Sequence, residues 1–306
     1  MKIAVYDSWN KKFSGPIIEH WQKIGHDIDY NGQYKLDRPA DIAFWYQGDN
    51  AAQVGITDSN AIKKFVQCVD IEVFASQPDG IDWSKVSGCI TMADHIDKMV
   101  KTPPNVKRQI IKPGIDLTKF TVGSPNRFTG PVRRIAYVVG DGRIWDVKRF
   151  DIALQMLYDI RKLRPEFIWQ LHIRGTYSGH VQYNAYCDHL IKSLKLEDFI
   201  IWHPRVEDMN LWLEDKHYFL LPSTKEAFSY ATAEAMAKGI KPIINNWQSS
   251  EETWGEFKSN SYMEMLEKLA EDKYEPEVYR KYIEDNYDQE KYFKQLDEFM
   301  EIGGGV

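Results

Sequence analysis

The strongest constraint on this chain is a pattern that runs through it twice. Short apolar runs rich in Val, Ile, Phe and Tyr alternate with amphipathic stretches, first over residues 1–113 and again from about residue 132. Strand-length runs separated by helical spacing are the mark of βαβ units and parallel sheets. The first round predicts strands at 1–6, 28–30, 42–46, 71–75, 88–92 and 107–111. It also predicts a helix opened by Ser14, Gly15 and Pro16 and stopped at Gly25. The second round predicts strands at 134–139, 168–173, 199–202, 218–221 and 243–244, with helices at 150–163, 186–194 and 230–238. Residues 261–302 are helical in pattern, and Gly303, Gly304 and Gly305 read as a frayed tail. Residues 120–132 carry Gly, Pro, Ser and Asn with little periodicity, as an inter-domain linker does. The expected fold class is therefore α/β, with two Rossmann-like domains facing across a cleft that holds the ligand.

Composition narrows the class further. No uninterrupted apolar stretch reaches the roughly 18 residues of a membrane helix, and the first residues hold Asp7 and no cleavage pattern. Cys68, Cys89 and Cys187 are far apart and lack Cys-x-x-Cys spacing, which removes a disulfide framework and a structural zinc site. A cytoplasmic location is the expectation. Residues 1–125 hold 15 basic and 15 acidic side chains, so the formal charge of -6 resides in the remainder. Neither half has the basic footprint of a duplex binder, although Lys101, Lys107, Arg108 and Lys112 cluster. The same neutrality gives peripheral membrane contact no support.

The segment richest in chemistry is 221–239, LPSTKEAFSYATAEAMAKG. A strand ends at Pro222, a small polar loop follows, and an Ala-rich helix is expected to begin near Phe228. Free N–H groups and the positive end of the dipole make such a helix start an anion site. The dipole alone is worth only about 0.3–1 kcal/mol when exposed. Glu226 precedes this helix and Glu234 lies within it; a fully helical span would set them roughly 12 Å apart. That suits two hydroxyl-bearing groups at opposite ends of one ligand with an anion between them. It is too far for the paired carboxylates of a glycosidase.

This segment resembles the Glu-x7-Glu motif of retaining glycosyltransferases of the GT-B fold, family 4 (group 1) in particular. The likeness has further ordered parts. Residues 142–151, GRIWDVKRFD, resemble the family's Gly-Arg-x4-Lys-x2-Asp segment. Residues 112–116, KPGID, resemble its turn before the linker. Ser14-Gly15 and then GHDI at 25–28 resemble its glycine loop and helix end. The resemblance implies an acceptor-binding domain over 1–122, a nucleotide-sugar-binding domain over 123–286, and a terminal helix in 287–306 that crosses back to the first domain.

It also implies roles. Arg143 and Lys148 would hold a nucleotide-sugar diphosphate; Glu226, with backbone N–H groups near Ala227, Phe228 and Ser229, would bind donor-sugar hydroxyls and phosphate. Glu234 would accept from the ribose, Arg205 and Val206 would lie by the base, and Gly15 and Gly142 would line the phosphate loops. Two fixed cations and a helix N-terminus would stabilise charge growing on the leaving diphosphate, the work a metal does elsewhere. The implied activity is a retaining, metal-independent glycosyltransferase of hexosyltransferase type, needing no cofactor. Its partners would be a nucleotide-sugar donor, UDP-sugar favoured, and a carbohydrate, lipid-linked or other hydroxyl acceptor. Two alternatives are carried: a non-catalytic nucleotide-sugar-binding module, and transfer to modified DNA bases.

There are departures from the pattern. Pro16 stands where the family has a second glycine. Residues 73–77, taken as the middle strand that carries a histidine in many members, contain none; His95 is the alternative near the acceptor. Trp9, Trp45, Tyr46 and Trp83 are weighed as an aromatic acceptor wall against ordinary packing, with Trp9 the acceptor candidate. Asp27 and Asp29 share a strand face but read as an exposed edge, and the eight histidines contain no His-x-x-x-His pair, so no metal site is expected.

Overall fold

The structure, a computed structural model, describes residues 1–8, 11, 13–31, 39–123, 128–141, 145–176, 181–203 and 206–303. The chain divides into two compact units, Met1–Gly114 with Gln289–Val306, and Ile115–Asp288. Both are parallel six-stranded sheets flanked by helices.

In the first unit the strands β1 (Lys2–Tyr6), β2 (Asp27–Asn31), β3 (Ile42–Trp45), β4 (Lys63–Cys68), β5 (Gly88–Thr91) and β6 (Lys107–Ile110) lie in the order β2-β1-β3-β4-β5-β6. The helices between them are α1 (Gly15–Lys23), α2 (Asn50–Asp58), α3 (Asp70–Phe74) and α4 (Asp94–Met99). Helix α1 forms because Pro16 presets its first turn and Ile17, Ile18 and Trp21 make one buried stripe. Gly25, at φ +91°, then reverses the chain in a conformation that side chains other than glycine avoid.

In this unit one expectation fails and one open choice is decided. Residues 71–75 are not a strand: Asp70–Phe74 is a helix, because Glu72 turns back to accept the Val69 N–H at 2.6 Å. The strand of that region is Lys63–Cys68, whose paired lysines hide its apolar alternation. The middle strand is thus Lys63–Cys68 rather than 73–77, and it too lacks a histidine. The aromatic wall also dissolves. Trp45, Tyr46 and Trp83 are all buried, and Trp45 stacks on Tyr6 with ring centroids 4.7 Å apart.

The second unit contains β7 (Val132–Asp141), β8 (Ile168–Thr176), β9 (Ile200–His203), β10 (Tyr218–Leu221), β11 (Lys241–Asn245) and β12 (Lys258–Ser259), in the order β12-β11-β10-β7-β8-β9. Counted from β7, this is the doubly wound order 3-2-1-4-5-6 of dinucleotide-binding sheets. Its helices are α5 (Trp145–Lys148), α6 (Phe150–Leu163), α7 (Val181–Ser193), α8 (Met209–Leu213), α9 (Tyr230–Ala237), α10 (Ser250–Trp254), α11 (Tyr262–Ala270) and α12 (Pro276–Asn286). Phe150, Leu154, Leu157 and Ile160 of α6 pack on Ile135, Tyr137, Leu171 and Ile173 of the sheet. Arg280 of α12 donates to the carbonyls of Leu117 and Ala237, tying the entering chain to the end of α9. Strand β12 is only two residues long, too short for the apolar periodicity to mark.

The last helix, α13 (Gln289–Met300), belongs to the first unit. Its Tyr292, Phe293, Leu296, Phe299 and Met300 enter the core of β1, β3 and α1. Asp297 fixes it there by accepting from the Trp21 indole and pairing with His20, both at 2.8 Å. Gly88 is glycine for the same reason, since a Cβ there would meet the Phe299 ring at 2.8 Å.

Candidate functional site

In a doubly wound sheet a ligand binds beyond the carboxyl ends of the strands, where the winding reverses. In the second unit that point lies between β7 and β10, which pair directly. The chain leaving β7 leads to α5, and the chain leaving β10 leads to α9. The two are stitched together: the Thr224 N–H donates to the Val147 carbonyl at 2.9 Å. Ser223, fully buried, offers its carbonyl to the Asn245 side chain at 3.0 Å, which anchors the same loop to the end of β11.

This stitching brings Lys148 to Glu226, with Nζ 2.5 Å from Oε1. Both are largely shielded, at 24% and 12% side-chain exposure. The Tyr137 hydroxyl donates to the Lys148 carbonyl at 3.0 Å, so the lysine's backbone is fixed to the sheet as well. An ammonium held by one carboxylate at a sheet's switch point keeps two donor directions for an anion and returns to its carboxylate when the anion leaves.

Helix α9 starts at Tyr230 rather than near Phe228, with Ser229 as its N-cap. The Ser229 hydroxyl does not cap the helix; it accepts from the Thr232 hydroxyl at 2.8 Å. First-turn N–H groups have no partner inside any helix, so this end presents donors. Phe228 stacks on Trp254 at 5.6 Å and packs against Tyr287 at 5.0 Å, which holds the helix start rigidly from below. Because 226–229 is not helical, the spacing of roughly 12 Å expected for an all-helical span does not apply between Glu226 and Glu234.

Glu234 stands on the second turn of α9, half-buried. Burial pushes its carboxyl up to about 7, with Lys119 and then Arg174 opposing. A carboxyl whose charged form is disfavoured in this way gains most from hydroxyl donors that a ligand brings. Arg174, at the carboxyl end of β8, and Lys119 are neighbours of this site that the motifs did not indicate.

The remaining expected residues divide three ways. Arg143, Gly142, Arg205 and Trp9 lie outside the described residues. Val206 is half-buried in the second unit, and Ala227 is buried in the loop before α9. Gly15 and His95 belong to the first unit. Gly15 opens α1 and donates to the Lys11 carbonyl at 3.0 Å; a Cβ there would meet nothing nearer than 4.0 Å, so packing does not demand glycine. His95, the acceptor-side candidate, is 2% exposed on α4, its ring 6.3 Å from that of Phe74. Among the described residues no group of three or more His, Cys, Asp or Glu is placed to hold a metal ion. None of their helices is long and apolar enough to cross a membrane.

Each of the two units is a doubly wound α/β sheet, and the chain shares the fold of solved glycosyltransferase structures. Residues 133–264 match the sequence model of the family described as glycosyl transferases group 1. The curated relatives include an uncharacterized glycosyltransferase of Haemophilus influenzae, 29% identical over 126 residues, or 41% of this chain and 34% of the relative. A D-inositol 3-phosphate glycosyltransferase of Paenarthrobacter aurescens is 27% identical over 143 residues, 45% of this chain and 34% of that one. The match thus spans about a third of the length of each relative. Among solved structures, Anabaena HepE in complex with UDP and glucose aligns over 98% of this chain and 99% of its own, with a TM-score of 0.73 and 13% identity. The lipopolysaccharide outer core galactosyltransferase WaaB, in its apo form, aligns over 98% and 99% with a TM-score of 0.66 and 17% identity.

Proposed function

We propose that this protein is a retaining glycosyltransferase that moves a sugar from a nucleoside-diphosphate donor, UDP-sugar favoured, to a hydroxyl acceptor. The observation that carries this reading is the Lys148–Glu226 pair at the β7/β10 switch point, beside the start of α9. Lys148, with Arg143, grips the donor diphosphate, and the N–H groups at the start of α9 point to the same phosphates. Glu226 turns to the hydroxyls of the donor sugar once the diphosphate has taken its lysine. Glu234 accepts from the ribose, while Gly142, Arg205 and Val206 complete the pocket around phosphate and base. The first unit binds the acceptor, and Gly15 at its glycine loop lines the donor phosphates. UDP is favoured because the similar fold of HepE was solved with UDP and glucose.

In the reaction the bond from the anomeric carbon to the phosphate oxygen breaks and a bond from that carbon to the acceptor oxygen forms. The acceptor proton goes to the departing diphosphate oxygen on the same face, so no side-chain base is required. Charge on the leaving group is met by fixed cations and helix donors, and this electrostatic preorganisation replaces a metal ion. The test is a calorimetric titration with UDP, GDP and ADP, followed by transfer assays in which NMR reads the product's anomeric configuration. Tight UDP binding and retained configuration are expected. Inverted product would remove the same-face mechanism, and binding of none of the three would remove the donor assignment.

A further inference from the structure

Between Lys148 and helix α6 stands Arg149, at φ +55° and ψ +56°. A residue with a Cβ avoids this left-handed region, and such conformations persist only where the surroundings impose them. Here the imposing group is visible. The Arg149 guanidinium makes two parallel hydrogen bonds, Nε to Asp151 Oδ1 and one terminal nitrogen to Oδ2, each 3.0 Å. Asp151 is buried and has a second partner, the Tyr183 hydroxyl of α7, which donates to Oδ1 at 2.7 Å. The same hydroxyl oxygen accepts the Asp151 N–H at 3.0 Å. Burial raises the Asp151 carboxyl, but the Arg149 and Tyr183 hydrogen bonds outweigh it and hold the group below its ordinary range, ionised. Every link is local to the turn that delivers Lys148.

We propose that Asp151 is a positioning residue: its grip on Arg149, braced by Tyr183, holds the left-handed turn that aims Lys148 at Glu226 and, on the donor reading above, at the diphosphate. The turn ends α5 after Lys148 and restarts helix at Phe150, so the φ of Arg149 sets the direction in which the chain before it leaves α6. A helical φ at Arg149 would continue α6 backwards through Lys148 and swing its side chain off Glu226. Small angular errors at a binding cation are costly, since a misplacement of about 1 Å can reduce rate about a hundredfold.

Glycine provides the test, because it adopts this conformation unaided. The variants are Asp151→Asn, Arg149→Gly and the two combined, with the full chain throughout. Two readouts are used: the rate at which acetic anhydride labels Lys148 in the ligand-free protein, read by mass spectrometry, and UDP affinity by calorimetry. Asp151→Asn is expected to raise Lys148 labelling about fivefold and weaken UDP about tenfold. The double variant is expected to recover most of both losses, because glycine holds the turn without the carboxylate. Unchanged labelling in Asp151→Asn, or a double variant no better than the single, overturns the proposal. If Asp151→Asn does not fold, Tyr183→Phe serves in its place, with about a threefold effect reversed by Arg149→Gly. A wild-type protein that binds no UDP but shows the same labelling pattern refutes the donor reading and leaves the positioning role standing.

Discussion

The two sheets treat their switch points in opposite ways. In the first unit the winding reverses between β1 and β3, and the polar groups at that edge close on one another. Asp7 accepts from the Ser14 hydroxyl at 2.6 Å and from the Gln47 side chain at 3.3 Å, and Gln47 in turn accepts the Ser8 N–H at 3.1 Å. Asp7, Ser14 and Gln47 are all buried. In the second unit the equivalent edge holds a cation and a carboxylate that are partly exposed and opposed, together with a helix end whose N-cap side chain faces elsewhere. One edge has satisfied its hydrogen bonds within the chain and serves stability. The other keeps charge that an anion can claim. Two doubly wound sheets therefore leave the task of each switch point to its side chains.

If that contrast is right, Lys148→Ala should have the largest effect. Donor turnover is expected to fall about 10²–10³-fold, as when a preorganised charge-stabilising donor is removed. The melting temperature should stay within a few degrees, because the pair keeps some exposure to water and a partly solvated pair contributes about 1 kcal/mol. A large loss of stability with intact turnover would reverse the assignment of the two edges.

Asp7→Ala should do the opposite. It strands the buried Ser14 and Gln47 donors at about 1–3 kcal/mol, measured by urea denaturation, while UDP affinity changes less than twofold. Loss of UDP binding in a folded Asp7→Ala protein would show that the first edge also holds the donor.

Glu234→Gln sharpens the comparison through pH. The raised carboxyl binds more protons folded than unfolded between about 4.3 and 7, so it makes stability fall as pH rises through that window. Removing it should stabilise the protein at pH 8 and leave its stability unchanged below pH 4, read from thermal melts. If Glu234 binds the ribose as proposed, its hydroxyls donate to the ionised carboxylate, so wild-type UDP affinity should rise with pH through about 7, and the variant's should not. A flat wild-type profile would detach Glu234 from the ribose.

The two glycines give one effect like that of Asp7 and the smallest effect of all. Gly88→Ala forces a methyl group onto the Phe299 ring and should cost about 1–3 kcal/mol in the first unit. Gly15→Ala meets no neighbour and should leave the melting temperature unchanged. A severalfold loss of UDP affinity there would support a phosphate approaching the α1 loop, and no loss would remove Gly15 from the donor site.

Much of the fold was legible because repeated strand-helix alternation survives in the sequence: helix 150–163 and strand 218–221 have the expected bounds. The failures share a cause. Residues 70–74 are a short apolar run whose strand and helix readings differ only by the capping carboxylate of Glu72. The strand beginning at Lys63 shows two lysines that only burial explains: Lys64 is buried and donates to the Ile56 carbonyl at 3.0 Å. In the site, Lys148 and Glu226 were marked by their motifs. Arg149 and Tyr183 were not, because a left-handed turn and its brace leave no spacing signal.

The sequence alone determined the α/β class, the strand-helix alternation and the chemical types at the β7/β10 edge, since periodicity and motif residues are local properties. Tertiary structure decided which edge those residues would share. Lys148 and Glu226 are 78 positions apart and meet only because β10 returns beside β7 after β8 and β9 have been laid on the other side. It also decided that Trp45, Tyr46 and Trp83 are core rather than sugar-facing, because aromatic side chains follow buried area and the sheet needs them inside.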